Sequence, residues 1–427
     1  MIRKQQPIRT YDAVHATNVG RRRFIAGLGA SAAIVSSGSL MRPARAQATL
    51  NVGVLLPTSG TQAFIGQSCK LGADIAPAVL QGLGYGLPIR LMHADTETNV
   101  DVARSRAERL INEGAHVLVG PFDSGAASAI AQVCEQKGVP FIINIAAAPQ
   151  LTEQGYKFTF RNFPTSVDLV RNGLALMRDL FQATGTAPRT AVFMHVNDTF
   201  GQANAKAIGA ILPTFNFLPF KVLETISYDP AAKDLSVEVA KAKATNADFL
   251  MFVCRLNDAI LVRREMVKQR WNPMGMIGPG NPGMYEAQFF AALGKLSEYC
   301  VSNVPWYDPK AALTKAIEPA FVKAYPKDKL MFHALNVGFT VEALMVAADA
   351  YKRAKATDGR RLAEAIRQTN LTSRMMLGGP IKFNAKGQVE GIQSACIQNL
   401  NMRPTVVLPA ASAEAKPVFP VPGYKKA

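Results

Sequence analysis

Two stretches of this 427-residue chain carry residue types able to hold a charged small molecule. Val119-Gly-Pro-Phe-Asp-Ser-Gly-Ala-Ala127 runs from a β-branched apolar segment into an Ala-rich helical pattern. Such a turn leaves backbone N–H groups without intrahelical partners at the positive end of a helix, and that suits a carboxylate. Asp123 and Ser124 are also common helix caps, so the stretch could equally do no more than start its helix. The second stretch is Arg255, which follows the apolar strand Phe249–Cys254. Its planar fork offers a bidentate partner for a carboxylate, and its alternative is a solvated loop arginine.

Bond-breaking chemistry finds little support. No GxSxG or HExxH motif occurs, and Ser, His and Asp form no motif-linked set. Gly82-Leu-Gly-Tyr-Gly86 follows a helix and precedes a strand, the reverse of a dinucleotide loop, so it reads as a helix stop. Five cysteines (Cys69, Cys134, Cys254, Cys300, Cys396) and five histidines are scattered with no metal-ligand spacing, so neither metal nor cofactor is expected. An odd cysteine count leaves at least one thiol unpaired within the chain, and a Cys134–Cys254 pair, joining different lobes, would oppose opening.

Gly20 to Ala46 places Arg21-Arg22-Arg23 before a short Gly/Ala/Ser-rich run that ends in Ala44-Arg45-Ala46. This pattern predicts a cleaved twin-arginine export signal over residues 1–46 and too weak an apolar run for a permanent membrane span. Those residues hold eight basic side chains and one acidic, so the formal charge falls from +17 for the whole chain to +10 for the remainder. The surplus can steer anionic solutes, but it is scattered and lacks a recognition motif, so no nucleic-acid partner is expected.

Behind these residues, short β-branched runs alternate with helical patterns, as in parallel sheets joined by crossover helices. Strands are expected at Leu50–Leu56, Ile89–His93, His116–Val119 and Phe141–Ile145, with three helices between them. A second series runs from the helix Ser166–Thr184 to a strand at Met274–Ile277. Helices are expected over Leu313–Tyr325, Met331–Ala354 and Arg360–Gln368, and a turn-rich hairpin over Gly378–Gly387. The Pro/Ala-rich tail from Pro404 is expected to be loosely held. The 381 residues after the leader exceed one usual core, so two α/β lobes enclosing a cleft follow.

Val52-Gly-Val-Leu-Leu-Pro-Thr-Ser-Gly60, Gly66 and Gly72, His93-Ala-Asp95, Arg109-Leu-Ile-Asn-Glu-Gly114, Val119-Gly-Pro-Phe-Asp-Ser124, Asn197-Asp-Thr-Phe-Gly201, Ile277-Gly-Pro279 and Ile381-Lys-Phe-Asn-Ala-Lys-Gly387 occur in this order. The ordered set resembles type I periplasmic solute-binding proteins, and most nearly the leucine/isoleucine/valine-binding proteins of ABC importers. The resemblance implies two Rossmann-like lobes with parallel sheets, joined by three hinge crossings near Pro164, Asn303 and Ser373–Gly379. Lobe 1 would hold residues 47–164 and 303–373, and lobe 2 residues 165–302 and 374–427. It further implies a periplasmic monomer that closes over a small-molecule carboxylate or amino acid and is read by an inner-membrane ABC permease. The rival classes are a ligand-sensing receptor subunit of the same fold and an exported enzyme.

By the same resemblance Ser124 stands at a carboxylate-binding hydroxyl position, with Gly125 and Ala126 contributing amides. Ile145-Ala-Ala-Ala-Pro149 matches a segment whose carbonyl and threonine hold an ammonium, and the threonine position is Ala147. The acidic position after Ile277-Gly-Pro279 is Gly280. An ammonium without partners in a closed cleft would cost several kcal/mol, so both departures argue against a standard α-amino acid unless Asp198, Asp258 or Glu286 substitutes. Arg255 would line the cleft, with Phe200 and Ile65 as apolar walls. Phe122 and Trp271 read as packing residues. The expected ligand is a small organic acid, aromatic or branched aliphatic, with a branched-chain amino acid close behind.

Overall fold

The computed structural model describes residues 49–425; the export-signal expectation for residues 1–46 lies outside them. The first sheet is built from β1 (Leu50–Leu56), α1 (Ala63–Gly82), β2 (Ile89–Asp95), α2 (Val100–Asn112), β3 (Val117–Val119), α3 (Ser124–Lys137), β4 (Phe141–Ile143) and β5 (Thr159–Arg161). Its strands are all parallel, in the order β2-β1-β3-β4-β5. The chain continues through α4 (Ser166–Thr184), β6 (Thr190–Val196), α5 (Thr199–Ile211), β7 (Lys221–Tyr228), α6 (Ser236–Ala244), β8 (Phe249–Val253), α7 (Leu256–Lys268), β9 (Met276–Pro279), α8 (Ala287–Leu293) and β10 (Val301–Pro305). Helices α9 (Ala312–Ala324), α10 (Ala334–Ala354) and α11 (Gly359–Arg367) follow, then β11 (Asn370–Leu371), β12 (Ile381–Lys382), β13 (Ser394–Leu400) and β14 (Arg403–Leu408).

The second sheet has the order β14-β13-β10-β9-β8-β6-β7, parallel from β7 to β10 and antiparallel at β13 and β14. Each sheet therefore reverses its winding beside its first strand, between β1 and β3 and between β6 and β8. Strands buried on both faces read as apolar runs: Phe249-Leu-Met-Phe-Val253 is buried throughout. In the first sheet Val52 and Val54 pack with α1 in one core, while Leu55 and Leu118 pack with α2 and α3 in another. Helix α10 is buried on nearly all sides and lies so close to α1 that a Cβ on Gly72 would stand 2.8 Å from the Val337 backbone.

Helix α4 packs on β9, β10 and β13, so the first crossing falls between Arg161 and Ser166, around Pro164. β10 pairs with β9 and β13, which puts the second crossing after Pro305, two residues past Asn303. The expected third crossing is displaced further. Residues 375–377 lie against the second crossing, with Leu377 N donating to Trp306 O at 2.8 Å. The chain then returns to the first sheet, where Arg161 N donates to Gly387 O and Val389 N to Arg161 O. Passage into the second sheet comes at β13, beyond Val389, and not at Ser373–Gly379. The hairpin exists, with its turn at Asn384–Gln388.

Two further expectations change. β5 was not foreseen, because three residues carry no detectable periodicity. The tail is not loose: β14 pairs with β13, Val418 N donates to Gln398 Oε1 at 2.9 Å, and Phe419 packs against Phe181 with centroids 5.2 Å apart. Backbone pairing and one buried aromatic outweigh the breaker-rich composition. Five free, buried cysteines occupy the two cores, and among the described residues no helix is long and apolar enough to cross a membrane.

Candidate ligand-binding site

The carboxyl ends of the two sheets' reversal points face each other, and parallel sheets bind ligands at such places. In the first sheet, the loops after β1 and β3 are tied by Gln62 Nε2 donating to Asp123 Oδ2 at 3.0 Å. In the second, the loops after β6 and β8 are tied by Arg255 Nη2 and Asp198 Oδ2 at 2.7 Å. The two loop pairs meet, because the Arg255 guanidinium stacks over Phe200 of its own lobe at 4.4 Å and over Phe122 of the other at 5.0 Å. Asn257 Nδ2 donates across to Thr61 O at 2.8 Å. Burial alone would lower the Arg255 pKa, but Asp198 and Asp123 hold it above its ordinary value, so it stays charged.

Behind this contact lies a cavity of about 20 Å³, so the lobes as they stand leave room for little more than a water molecule. Arg255, Phe200, Ile145, Ala147 and Gly280 line it, as do the unforeseen Phe122, Phe163, Leu169, Tyr285 and Leu335. The walls are aromatic and aliphatic, with Arg255 the one charged residue among them. Phe122 packs in the core as expected and also borders this cavity. Trp271 is 8% exposed and belongs to the second lobe's core. Ile65 is buried and borders an adjoining groove with Arg255 and Asn257.

The helix-start strip behaves differently from the expectation. Asp123 caps α3, accepting from Ala126 N at 2.8 Å, which consumes that amide. Ser124, 1% exposed, accepts from Ala147 N at 3.2 Å and Ala148 N at 3.3 Å. Its hydroxyl thus holds the loop after β4 in place. A Cβ on Gly125 would stand 3.5 Å from Thr199 Oγ1, so this residue sits at the contact between lobes. None of the three lines the cavity. The Ala147 carbonyl is also engaged, accepting from Ser166 N at 2.7 Å and Ser166 Oγ at 3.2 Å.

Of Asp198, Asp258 and Glu286 none lines the cavity, although Glu286 Oε2 has no hydrogen-bond partner. Asp198 caps α5 through Gly201 N at 2.7 Å and pairs with Arg255. Asp258, whose pKa burial raises, accepts from Arg255 N and from the Tyr228 hydroxyl. Glu286 is fully buried outside the cavity lining and accepts from Asn336 Nδ2 of α10 at 3.3 Å, and burial pushes its carboxyl up to about 8. Gly280 has φ +95°, and a Cβ there would lie 2.7 Å from Leu169 Cβ, so an acidic side chain would be both strained and obstructed. Phe122, Phe163 and Tyr285 follow strand ends, and that position is the signal that could have revealed them.

The geometry is that of a two-lobed α/β body with a small apolar cavity between facing sheet ends. Comparison with known proteins agrees. Residues 49–401 match the family description "periplasmic binding protein". Leu/Ile/Val-binding protein homolog 8 of Brucella abortus (strain 2308) is 26% identical over 274 residues, covering 61% of this chain and 64% of its own length. The leucine-binding protein LivK of Thermotoga maritima superposes with TM-score 0.71 at 21% identity, over 84% of this chain and 97% of its own. A solute-binding protein from R. palustris, solved in complex with benzoate, gives 0.71 at 20%, over 86% and 98%. The chain belongs to the periplasmic binding protein family and has the fold of the type I members, which its Leu/Ile/Val-binding relatives and structural neighbours share.

Proposed function

We propose that this protein is the substrate-binding component of a branched-chain-amino-acid-type ABC importer. It works in the periplasm as a monomer, captures a small carboxylate by closing its lobes, and presents the closed shape to an inner-membrane permease. Residues 1–46 serve as a cleaved twin-arginine export signal, and no bond of the ligand is broken. The observation that carries this reading is a charged arginine set into an otherwise apolar cavity at the meeting of two sheet reversal points. Asn257 to Thr61 joins the two lobes directly, and a ligand touching both lobes would add its own contacts to that closed arrangement. Relatives that carry leucine and benzoate in their descriptions bracket the ligand class.

The ligand contacts proposed are Arg255 as the anionic anchor, with Phe200, Ile145, Ala147 and Gly280 as walls. Ser124, Gly125 and Ala126 shape the neighbouring loop and the lobe contact. A thermal-shift screen of the exported form against amino acids and against aromatic and aliphatic acids tests the reading. A ligand at a hundred times its Kd should stabilise the protein by about 2.7 kcal/mol. A flat response across all carboxylates, together with unchanged binding in Arg255→Ala, would reject it.

A further inference from the structure

Tyr285 lines the central cavity, is 2% exposed, and its hydroxyl has no hydrogen-bond partner. Buried hydroxyls normally find one, so this group points to a partner supplied from outside the fold. Its ring is held edge-on against Trp306, centroids 5.2 Å apart, which fixes where the hydroxyl sits. In the same cavity Arg255 Nε is also unpartnered, since the guanidinium gives Nη2 to Asp198 and its faces to Phe122 and Phe200.

Both groups are donors. Arginine has no acceptor, and burial raises the Tyr285 phenol well above its usual pKa, as does nearby Glu286, so it keeps its proton. No carboxylate lines the cavity to match them. Asn281 Oδ1 is unpartnered too, but it is turned into its own loop, 1.4 Å from where a Cβ on Gly278 would stand. Gly280 brings no side chain, and the Ala147 carbonyl is bonded by Ser166.

Resting on the solute-binding reading above, we infer that Tyr285 and Arg255 form a clamp of two donors, one O–H and one N–H, for a carboxylic acid that lacks an ammonium group. The Tyr285 hydroxyl and Arg255 Nε–H each donate to its headgroup. An α-amino acid would carry a charged ammonium into a cavity lined by no carboxylate, whereas its deaminated counterpart keeps the apolar tail and loses the penalty.

Calorimetric titration of the full exported protein with matched pairs tests this: leucine against isocaproate, phenylalanine against hydrocinnamate, with benzoate added. The acid of each pair should bind at least tenfold tighter than the amino acid. Tyr285→Phe should weaken the acids roughly tenfold to a hundredfold, as expected for losing a bond to a charged group. It should leave the unliganded melting temperature unchanged, because the deleted hydroxyl has no partner in the protein. Acids that bind Tyr285→Phe as tightly as the parent overturn the clamp and leave solute binding standing. Amino acids that bind as well as the acids, and lose affinity in Glu286→Gln, assign the ammonium to Glu286 and also overturn it. Absence of binding by every acid and amino acid removes the solute-binding reading and the clamp together.

Discussion

Ser124 shows how a residue at a binding position can also serve the protein's own chain, its oxygen accepting while its O–H stays available to donate. Its oxygen accepts two backbone amides of the loop after β4, so the side chain works on the protein's own chain. Ser124→Ala leaves both buried amides without an acceptor and should cost about 1–3 kcal/mol. Thermal unfolding should show a lower melting temperature, whereas a loss of ligand affinity with unchanged stability would restore Ser124 to the ligand. Arg255 was legible from its place after an apolar strand. Its pairing with Asp198 was not, because 57 residues separate them and only the adjacency of β6 and β8 brings them together.

At the scale of elements, polar groups inside the molecule join what the sheets leave apart. Glu342 of α10, fully buried, accepts from Asn162 Nδ2 at the first crossing and from Met375 N and Met376 N beside the second, and pairs with Arg374 at 2.9 Å. Arg161 at the end of β5 bonds Ala148 O at 2.6 Å and Gln388 Oε1 at 2.6 Å, tying the loop after β4 to the returning hairpin. Glu286 and Asn336 link the loop before α8 to α10.

Burial raises the Glu286 carboxyl from 4.5 to about 8, so between those values the folded protein holds a proton that the unfolded chain has released. Stability contributed by this group is therefore highest below about pH 4.5, falls as pH rises toward 8, and is level above. The lowered pKa values of His93, His116 and His333, each caused first by burial, act in the opposite sense near neutrality. The informative quantity is the difference between parent and Glu286→Gln. Denaturant unfolding from pH 5 to 9 should show the variant gaining on the parent as pH rises, and parallel curves would remove Glu286 from the account.

For the whole molecule, the proposed closure would balance a few contacts across the lobes against the freedom regained on opening. Asn257 Nδ2 to Thr61 O is a hydrogen bond made across the cleft outside the cavity lining. Asn257→Ala should shift the unliganded population toward open, enlarge the radius of gyration seen by solution X-ray scattering, and weaken ligand about fivefold, the equivalent of about 1 kcal/mol. An unchanged scattering profile with unchanged affinity would mean that this bond does not help hold the lobes together.

The sequence alone determined the alternation of strands and helices, the two-lobe plan, the family and the apolar, arginine-bearing character of the cleft. Each of these is carried by local periodicity or by short ordered motifs, which survive without knowledge of neighbours in space. Only the tertiary structure decided that Ser124 serves the loop, that Phe122 and Tyr285 are walls, that the third crossing follows Val389, and that the tail is anchored. Those outcomes depend on hydrogen bonds and packing between residues far apart in the chain, and no window of sequence contains both partners.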